Sequence, residues 1–306
     1  MTRPVVLALA RLKPAEMNDR LYAEYDVVED IDDAVQARIV VTSGAVGLSA
    51  AQMAQLPALE LIAVNGVGVD AVDLAEARRR GVSISTTPDV LSGAVAELAL
   101  GLALAVSRRI AEADRFIRKG EWAAGGKAVL GRSVLGRRAG ILGYGRIGRQ
   151  LADMLRGMGL SVSYTARTQK PGSPDAFRPD TLSLAQECDL LFVTAAGGAE
   201  TRGLVNAQVL EALGPDGILI NVARGPLVDA EALADALRNG TIGGAGLDVF
   251  DQEPRVPQAL LDASNCVLTP HIGSATAETR RAMAALVLEN LAAHAAGQPL
   301  RTPYET

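Results

Sequence analysis

Histidine, cysteine, lysine and aromatic residues are all scarce in this 306-residue chain. Two histidines, His271 and His294, are too few for a zinc cluster, and the two cysteines, Cys188 and Cys266, stand far apart with no CxxC or Cys/His spacing. Buried, inert thiols and no metal are expected. The lysines Lys13, Lys119, Lys127 and Lys170 fall outside the segments of catalytic character, which disfavours Schiff-base chemistry. Aromatic residues are 3% of the chain, no basic tract is present and the net charge is −5, so nucleic acid and anionic membranes are excluded as main partners. No apolar run reaches the roughly 20 residues of a membrane span. The run from Val95 to Val106 is too short and carries Glu97, while Val5 to Ala10 ends at Arg11 and Lys13 without a signal-peptide layout. A cytoplasmic protein is expected.

What the chain has is small apolar residues, at 49% hydrophobic with 31 glycines, and a length that favours two domains of α/β type. Its most informative stretch runs from Arg138 to Thr168. A short apolar run leads into Gly143-Tyr144-Gly145-Arg146-Ile147-Gly148, then Leu151, Met154 and Leu155 continue Ile147 at helical spacing. Strand, glycine turn and helix in this order form a pyrophosphate cradle: one glycine turns the chain, one admits the phosphate, and one lets helix and strand pack closely. The second apolar run, Leu160 to Thr165, completes a βαβ half. Where such folds usually carry an acid for the ribose hydroxyls, this chain has Arg167 and Thr168, with Arg167 placed 22 residues after Gly145. An arginine beside a hydroxyl binds a 2′-phosphate by charge-assisted hydrogen bonds, so NADP(H) is expected in preference to NAD(H). A solvated surface arginine is the alternative reading.

Before this stretch, strand-like runs at Val5–Ala10, Arg38–Thr42, Leu61–Val64 and Val82–Ile84 alternate with helical segments such as Ser49–Gln55 and Val72–Arg80. Parallel strands need crossover helices, so this is a small parallel-sheet domain. Its loops Ser43–Gly47 and Asn65–Asp70 lie at strand ends, and the glycines of the first read most simply as turns. A single long helical run is expected from Gly93 to about Gly120, buried on most sides and available to a second subunit. Trp122, the only tryptophan, is a contact to another subunit or to that subunit's active site, or else a surface anchor. After the βαβ half come a Pro/Gly/Ser-rich loop from Lys170 to Arg178 and further strands at Leu190–Thr194, Ile218–Val222, Gly246–Val249 and Cys266–Leu268, giving about six strands. A helix from Ala275 to Ala296 returns to the first domain, and the tail from Leu300 has no strong pattern.

Ligands of open α/β sheets bind beyond the carboxyl ends of the strands. The residues there, in addition to the glycine turn, are Ala195, Val222, Ala223, Asp248 and Gly273 as cofactor contacts, with Arg224, Glu253 and His271 as the chemical set. A histidine beside a nicotinamide exchanges a proton with a carbonyl oxygen. A carboxylate on its other nitrogen, for which Glu253 is the candidate, favours the imidazolium and fixes its orientation. Arg224 grips a carboxylate in bidentate fashion, which selects a 2-keto acid, and Asp248 is a candidate acceptor for the nicotinamide carboxamide. Each has an ordinary alternative: a cap or surface pair for Arg224, solvation before Pro254 for Glu253, a core position for His271. Their coincidence at the strand ends of one sheet favours the chemical reading. His294, among alanines in a helix, reads as structural.

Over nearly its whole length the chain resembles the D-isomer-specific 2-hydroxyacid dehydrogenase family. The motifs that carry this are NGVGVDAVD at 65–73, VAELALGLALAVSRRI at 95–110, GILGYGRIG at 140–148, NVARGPLVD at 221–229, LDVFDQEP at 247–254 and TPHIGSAT at 269–276. The resemblance implies two doubly wound parallel-sheet domains with a cleft between them: a flavodoxin-like substrate domain at 1–96 and 278–306, and a Rossmann cofactor domain at 97–277. It also implies a homodimer, a catalytic set of Arg224, Glu253 and His271, and backbone N–H groups of Val67 and Gly68 that hold the substrate carboxylate. Within the family the chain is most similar to NADPH-dependent glyoxylate/hydroxypyruvate reductases. Reduction of a small 2-keto acid to the D-2-hydroxy acid is therefore expected, with phenylpyruvate or hydroxyphenylpyruvate as the alternative substrate and a dinucleotide-sensing binding protein as the alternative class. A C-terminal regulatory extension is not expected, and a serine-pathway phosphoglycerate dehydrogenase of the longer kind is accordingly disfavoured. Ala195-Ala196-Gly197-Gly198 departs from the Pro-rich loop of many members and leaves substrate size open.

Overall fold

The computed structural model of the chain describes residues 3–305. It divides into two compact units, residues 1–91 with 274–306 and residues 92–273. The divisions fall a few residues before the expected 96/97 and 277/278, because the helix that begins at Ser92 packs from its first turn on elements of the second unit.

In the first unit β1 (Val5–Ala8), α1 (Ala15–Glu24), β2 (Asp26–Val28), β3 (Ile39–Thr42), α2 (Ala50–Ala54), β4 (Leu61–Val64), α3 (Leu74–Arg80) and β5 (Ser83–Ser85) form a parallel sheet of order β2-β1-β3-β4-β5. This is the flavodoxin-like doubly wound order. Its strands read as continuous apolar runs because both faces are covered. Val6, Ile39, Val41 and Leu61 meet Met17 and Leu21 of α1 and Val287, Leu288 and Leu291 of the last helix, whereas Leu7, Val40, Ile62 and Val64 meet Met53 and Ala77. Helix α1 and strand β2 leave little mark in the sequence. Only Met17 and Leu21 of α1 are buried and β2 has three residues, so neither carries a strong period. The tail is not patternless in space: the Thr86 N–H donates to Thr302 O (3.2 Å) and the Tyr304 N–H to Ile84 O (2.8 Å). Asn290 on the last helix holds Thr302 through both side-chain atoms.

The second unit contains α4 (Ser92–Ser107), α5 (Ile110–Arg118), β6 (Arg138–Leu142), α6 (Arg146–Gly157), β7 (Ser161–Thr165), β8 (Ala176–Phe177), α7 (Thr181–Glu187), β9 (Leu190–Val193), α8 (Ala207–Leu213), β10 (Ile218–Asn221), α9 (Ala230–Arg238), β11 (Gly244–Leu247), α10 (Gln258–Leu261) and β12 (Cys266–Leu268). Its parallel sheet runs β12-β11-β10-β9-β6-β7-β8. The order reverses between β6 and β9, the switch point at which dinucleotides bind in Rossmann folds. The seventh strand is β8, a two-residue piece of the Pro/Gly/Ser-rich loop. One face of the sheet is covered by α7, α8 and α9 through Leu184, Val209, Leu210, Leu233 and Leu237. On the other face α4 lies close because Gly244 and Gly246 of β11 carry no side chain. A Cβ at Gly246 would stand 3.0 Å from Leu102 Cβ, and one at Gly244 2.7 Å from Val106 Cγ1. Cys188 and Cys266 are buried, which pushes both thiols up to about 12, the inert state expected from the sequence.

The helical run expected from Gly93 to Gly120 is two helices. Arg109 adopts a left-handed conformation (φ 55°) and breaks it, and the Arg132 N–H caps Ser107 O at 2.7 Å. Nothing in Ser107-Arg108-Arg109 signals this, since arginine has no preference for that conformation.

At the head of α6 the three motif glycines have different duties. Gly143, at φ 98°, has no room for a Cβ, which would meet the Ala195 backbone at 2.4 Å. Gly148 lets α6 approach β6, since its Cβ would stand 2.3 Å from Gly143 O. Gly145 faces open space at φ −85°. Gly143→Ala is expected to cost about 2–4 kcal/mol in urea unfolding, from a left-handed conformation plus a backbone clash, whereas Gly145→Ala should cost less than about 1 kcal/mol. Equal losses would show that the turn is not packed in this way.

Candidate active site

The glycine turn meets the physical requirements of a dinucleotide cradle. Helix α6 starts at Gly145 with no side-chain cap and no acidic residue in its first turn, so its amide N–H groups and positive dipole end are open to an anion. The Thr194 hydroxyl donates to Gly143 O at 2.6 Å and the Gly143 N–H to Thr165 O at 2.9 Å, tying the turn to the ends of β9 and β7. Tyr144 turns away from this opening. Its ring is buried against Tyr164 (centroids 3.9 Å apart) and its hydroxyl donates to Asp175, leaving only its backbone beside the opening. Burial, then the bond to Asp175, holds the Tyr144 hydroxyl above the usual tyrosine range. Arg167 and Thr168 follow β7 directly and are exposed, and Arg167 makes no ion pair with any described residue.

The strand-end edge is built around a buried acid. Asp248 follows β11 and is 1% exposed. Its Oδ1 accepts from the Thr269 hydroxyl (2.6 Å) and the Ile272 N–H (2.8 Å), and its Oδ2 from the Gly273 N–H (2.8 Å). These bonds wrap residues 269–273 around the carboxylate. His271 at the apex takes a left-handed conformation (φ 53°), held by its own N–H on Asp248 O at 2.9 Å. The imidazole meets Glu253 through Nδ1, 2.7 Å from Oε2, while Glu253 Oε1 accepts from the Phe250 N–H at 3.0 Å. Glu253 is thereby fixed at both oxygens. Nε2 of His271 bonds to no described residue, and the ring is 46% exposed.

Arg224 lies on the neighbouring loop, after β10. Buried Asn221 shapes that loop: its amide donates to Arg224 O (2.9 Å) and its Oδ1 accepts from the Ala223 N–H (3.0 Å). Gly225 then presses on the loop of Glu253, where a Cβ would stand 2.0 Å from the Phe250 carbonyl carbon. The His271 and Glu253 side chains are thus in contact, and the Arg224 loop is locked to theirs through backbone. Val222, Ala223 and Gly273 are buried and hold the loops in shape. Asn221 and Gly225 stand in the 221–229 motif of the sequence, but their roles in shaping and packing this loop were not read from it. The available signals were a polar residue ending the apolar run of β10, and a glycine directly after the arginine.

In the first unit, the loop at Val67 and Gly68 offers amide N–H groups that bond to no described residue. The Ser43–Gly47 loop, expected to be simple turns, backs it. Cβ atoms at Gly44 and Gly47 would strike Gly68 O at 2.7 Å and Ala71 O at 2.0 Å. Among the described residues no group of His, Cys, Asp and Glu gathers as a metal site, and no helix is long and apolar enough to cross a membrane.

Residues 100–273 match the family model for the D-isomer specific 2-hydroxyacid dehydrogenase, NAD binding domain. The chain is 45% identical over 266 residues to hydroxyphenylpyruvate reductase of Plectranthus scutellarioides, covering 87% of this chain and 85% of the relative. Against glyoxylate/hydroxypyruvate reductase A HPR2 of Arabidopsis thaliana it is 44% identical, with the same coverage. Among solved structures, the NADPH-dependent glyoxylate/hydroxypyruvate reductase of Sinorhizobium meliloti, in complex with NADP and malonate, superposes with a TM-score of 0.93 at 40% identity, covering 99% of this chain and 97% of the other. A matched NAD binding domain and relatives aligned over most of their length agree with the two parallel sheets and the glycine turn: the chain belongs to the D-isomer specific 2-hydroxyacid dehydrogenase family.

Proposed function

We propose that this protein reduces a small 2-keto acid, glyoxylate or hydroxypyruvate, with NADPH, forming the D-2-hydroxy acid where the product is chiral. The observation that carries the reading is the Glu253–His271 contact at 2.7 Å, set on the strand-end edge of a sheet with a dinucleotide turn at its switch point. Family membership makes the chain an oxidoreductase of the CH–OH/C=O couple. The bound nicotinamide supplies the hydride. The chain's own residues govern the proton and the charge. His271 donates from Nε2, the nitrogen left open, to the carbonyl oxygen of the keto acid and recovers that proton in the reverse direction. Glu253 faces Nδ1 and fixes which nitrogen meets substrate. Arg224 polarises the carbonyl and grips the adjacent carboxylate, and the open amides of Val67 and Gly68 are assigned the same carboxylate.

For the cofactor, the turn from Gly143 to Gly148 takes the pyrophosphate, and Arg167 with Thr168 takes a 2′-phosphate. Ala195, Val222, Ala223, Asp248 and Gly273 lie along the nicotinamide side. Support for NADPH comes from the absence of an acid after β7 and the unpaired Arg167, and the Sinorhizobium meliloti structure holds NADP. The two reductases named above are 45% and 44% identical to this chain, so their names do not rank a bulky keto acid against a small one. The small residues Ala195 to Gly198, where many members carry a Pro-rich loop, leave substrate size open. The scarcity of aromatics for stacking, 3% of the chain, favours the small acid.

The proposal includes a homodimer. Helix α5 buries none of its residues, and Ile110, Ile117, Trp122, Val129, Leu130 (90% exposed) and Leu135, all between 110 and 135, are large apolar side chains left exposed.

Steady-state assays with glyoxylate, hydroxypyruvate and hydroxyphenylpyruvate against NADPH and NADH test the main reading. NADPH oxidation with the small acids is expected, and no oxidation of either cofactor with any 2-keto acid would refute it. His271→Ala should lower kcat about 100-fold to 10,000-fold. Arg167→Asp should raise the KM for NADPH by about tenfold or more while moving that for NADH far less. In sedimentation velocity the wild type should run as a dimer and Trp122→Asp/Leu130→Asp as a monomer; a monomeric wild type would overturn the assembly.

A further inference from the structure

One buried polar cluster lies outside the chemistry above. Tyr144, the middle residue of the glycine turn, stacks on Tyr164 of β7 and donates its hydroxyl to Asp175. The Asp175 side chain is 2% exposed and also accepts from Nη1 of Arg156 on α6, at 2.6 and 2.7 Å. The Ser173 hydroxyl donates to the Tyr144 oxygen (3.3 Å) and accepts the Asp175 N–H (3.2 Å), and the Lys170 N–H donates to the Tyr164 oxygen (2.8 Å). Two tyrosine hydroxyls, from the glycine turn and from β7, therefore tether the loop that begins with Arg167 and Thr168. Asp175 is the only carboxylate from 166 to 179. The pairing with Arg156 keeps that charge buried and compensated, away from the exposed arginine.

Resting on the reading of Arg167 as a 2′-phosphate ligand, the geometry points to Tyr144, Asp175 and Arg156 as positioning residues for phosphate selectivity: they fix the course of the 167–175 loop relative to the turn that holds the pyrophosphate. None of the three touches the reacting atoms. A loop free to wander would have to be ordered anew for each binding event, and only the nucleotide that uses Arg167 would bear that cost.

The test uses the full-length protein and two small probes, 2′,5′-ADP and 5′-AMP, with affinities measured by calorimetry. In the wild type 2′,5′-ADP should bind more tightly. Tyr144→Phe keeps the stacked ring and removes only the hydroxyl; Asp175→Asn keeps the shape and removes the charge that pairs with Arg156. Each should lower the ratio of 2′,5′-ADP to 5′-AMP affinity by about threefold to tenfold. Combined with Arg167→Ala, neither should move the ratio further, because both act through that arginine. A loss that is equal for the two probes, or a selective loss that persists without Arg167, would overturn the inference and leave the cofactor reading standing. A wild type with no preference for 2′,5′-ADP would overturn the cofactor reading, and this inference with it.

Discussion

Three hydrogen bonds to one carboxylate organise the strand-end edge. Asp248 is buried at the end of β11 and accepts from Thr269, Ile272 and Gly273. An isolated charge in that position would be prohibitive, so the surrounding chain must turn its donors inward. In doing so it folds a five-residue loop whose outermost member is His271. Hydrogen bonds to a charged group are each worth about 1.5–3 kcal/mol, enough to sustain a left-handed histidine. The left-handed conformation is thus a consequence of how the acid is satisfied. Asp248, expected from the sequence as an acceptor for cofactor, is also the hub of the histidine loop.

The legible part of this fold was the part written in periods of apolar residues. Both sheets are buried on both faces, so β4 and β12 stand where their apolar runs put them, and the alternate side chains of β3 and β4 divide cleanly between two layers. The glycine turn was legible because its residues have separate steric duties. Elements that bury little were not: α1, β2 and the two-residue β8 leave weak periods. The break at Arg109 was hidden for a different reason, since the N–H that bonds Ser107 O beside it belongs to Arg132, in the loop after α5.

Within the candidate site, the strand-end positions of Arg224, Glu253 and His271 were readable and their supporting contacts were not. Arg224, Glu253 and His271 follow strands, a rule that needs only the order of elements. That Asn221 shapes the arginine loop, and that Gly225 lets it press on Phe250, depends on distances across the sheet. Tyr144 shows the same limit, because its place in the motif speaks for its backbone while its side chain serves a loop about thirty residues away in sequence.

The tail that runs beside β5 has a consequence for solubility. Strand β5 ends its sheet, and an uncovered edge invites pairing with a strand from another molecule. Thr302, Pro303 and Tyr304 occupy that edge in antiparallel sense, and the proline at the bridge to Ser85 has no N–H with which to extend the ladder outward. The last residues of the chain thereby serve as a guard against aggregation.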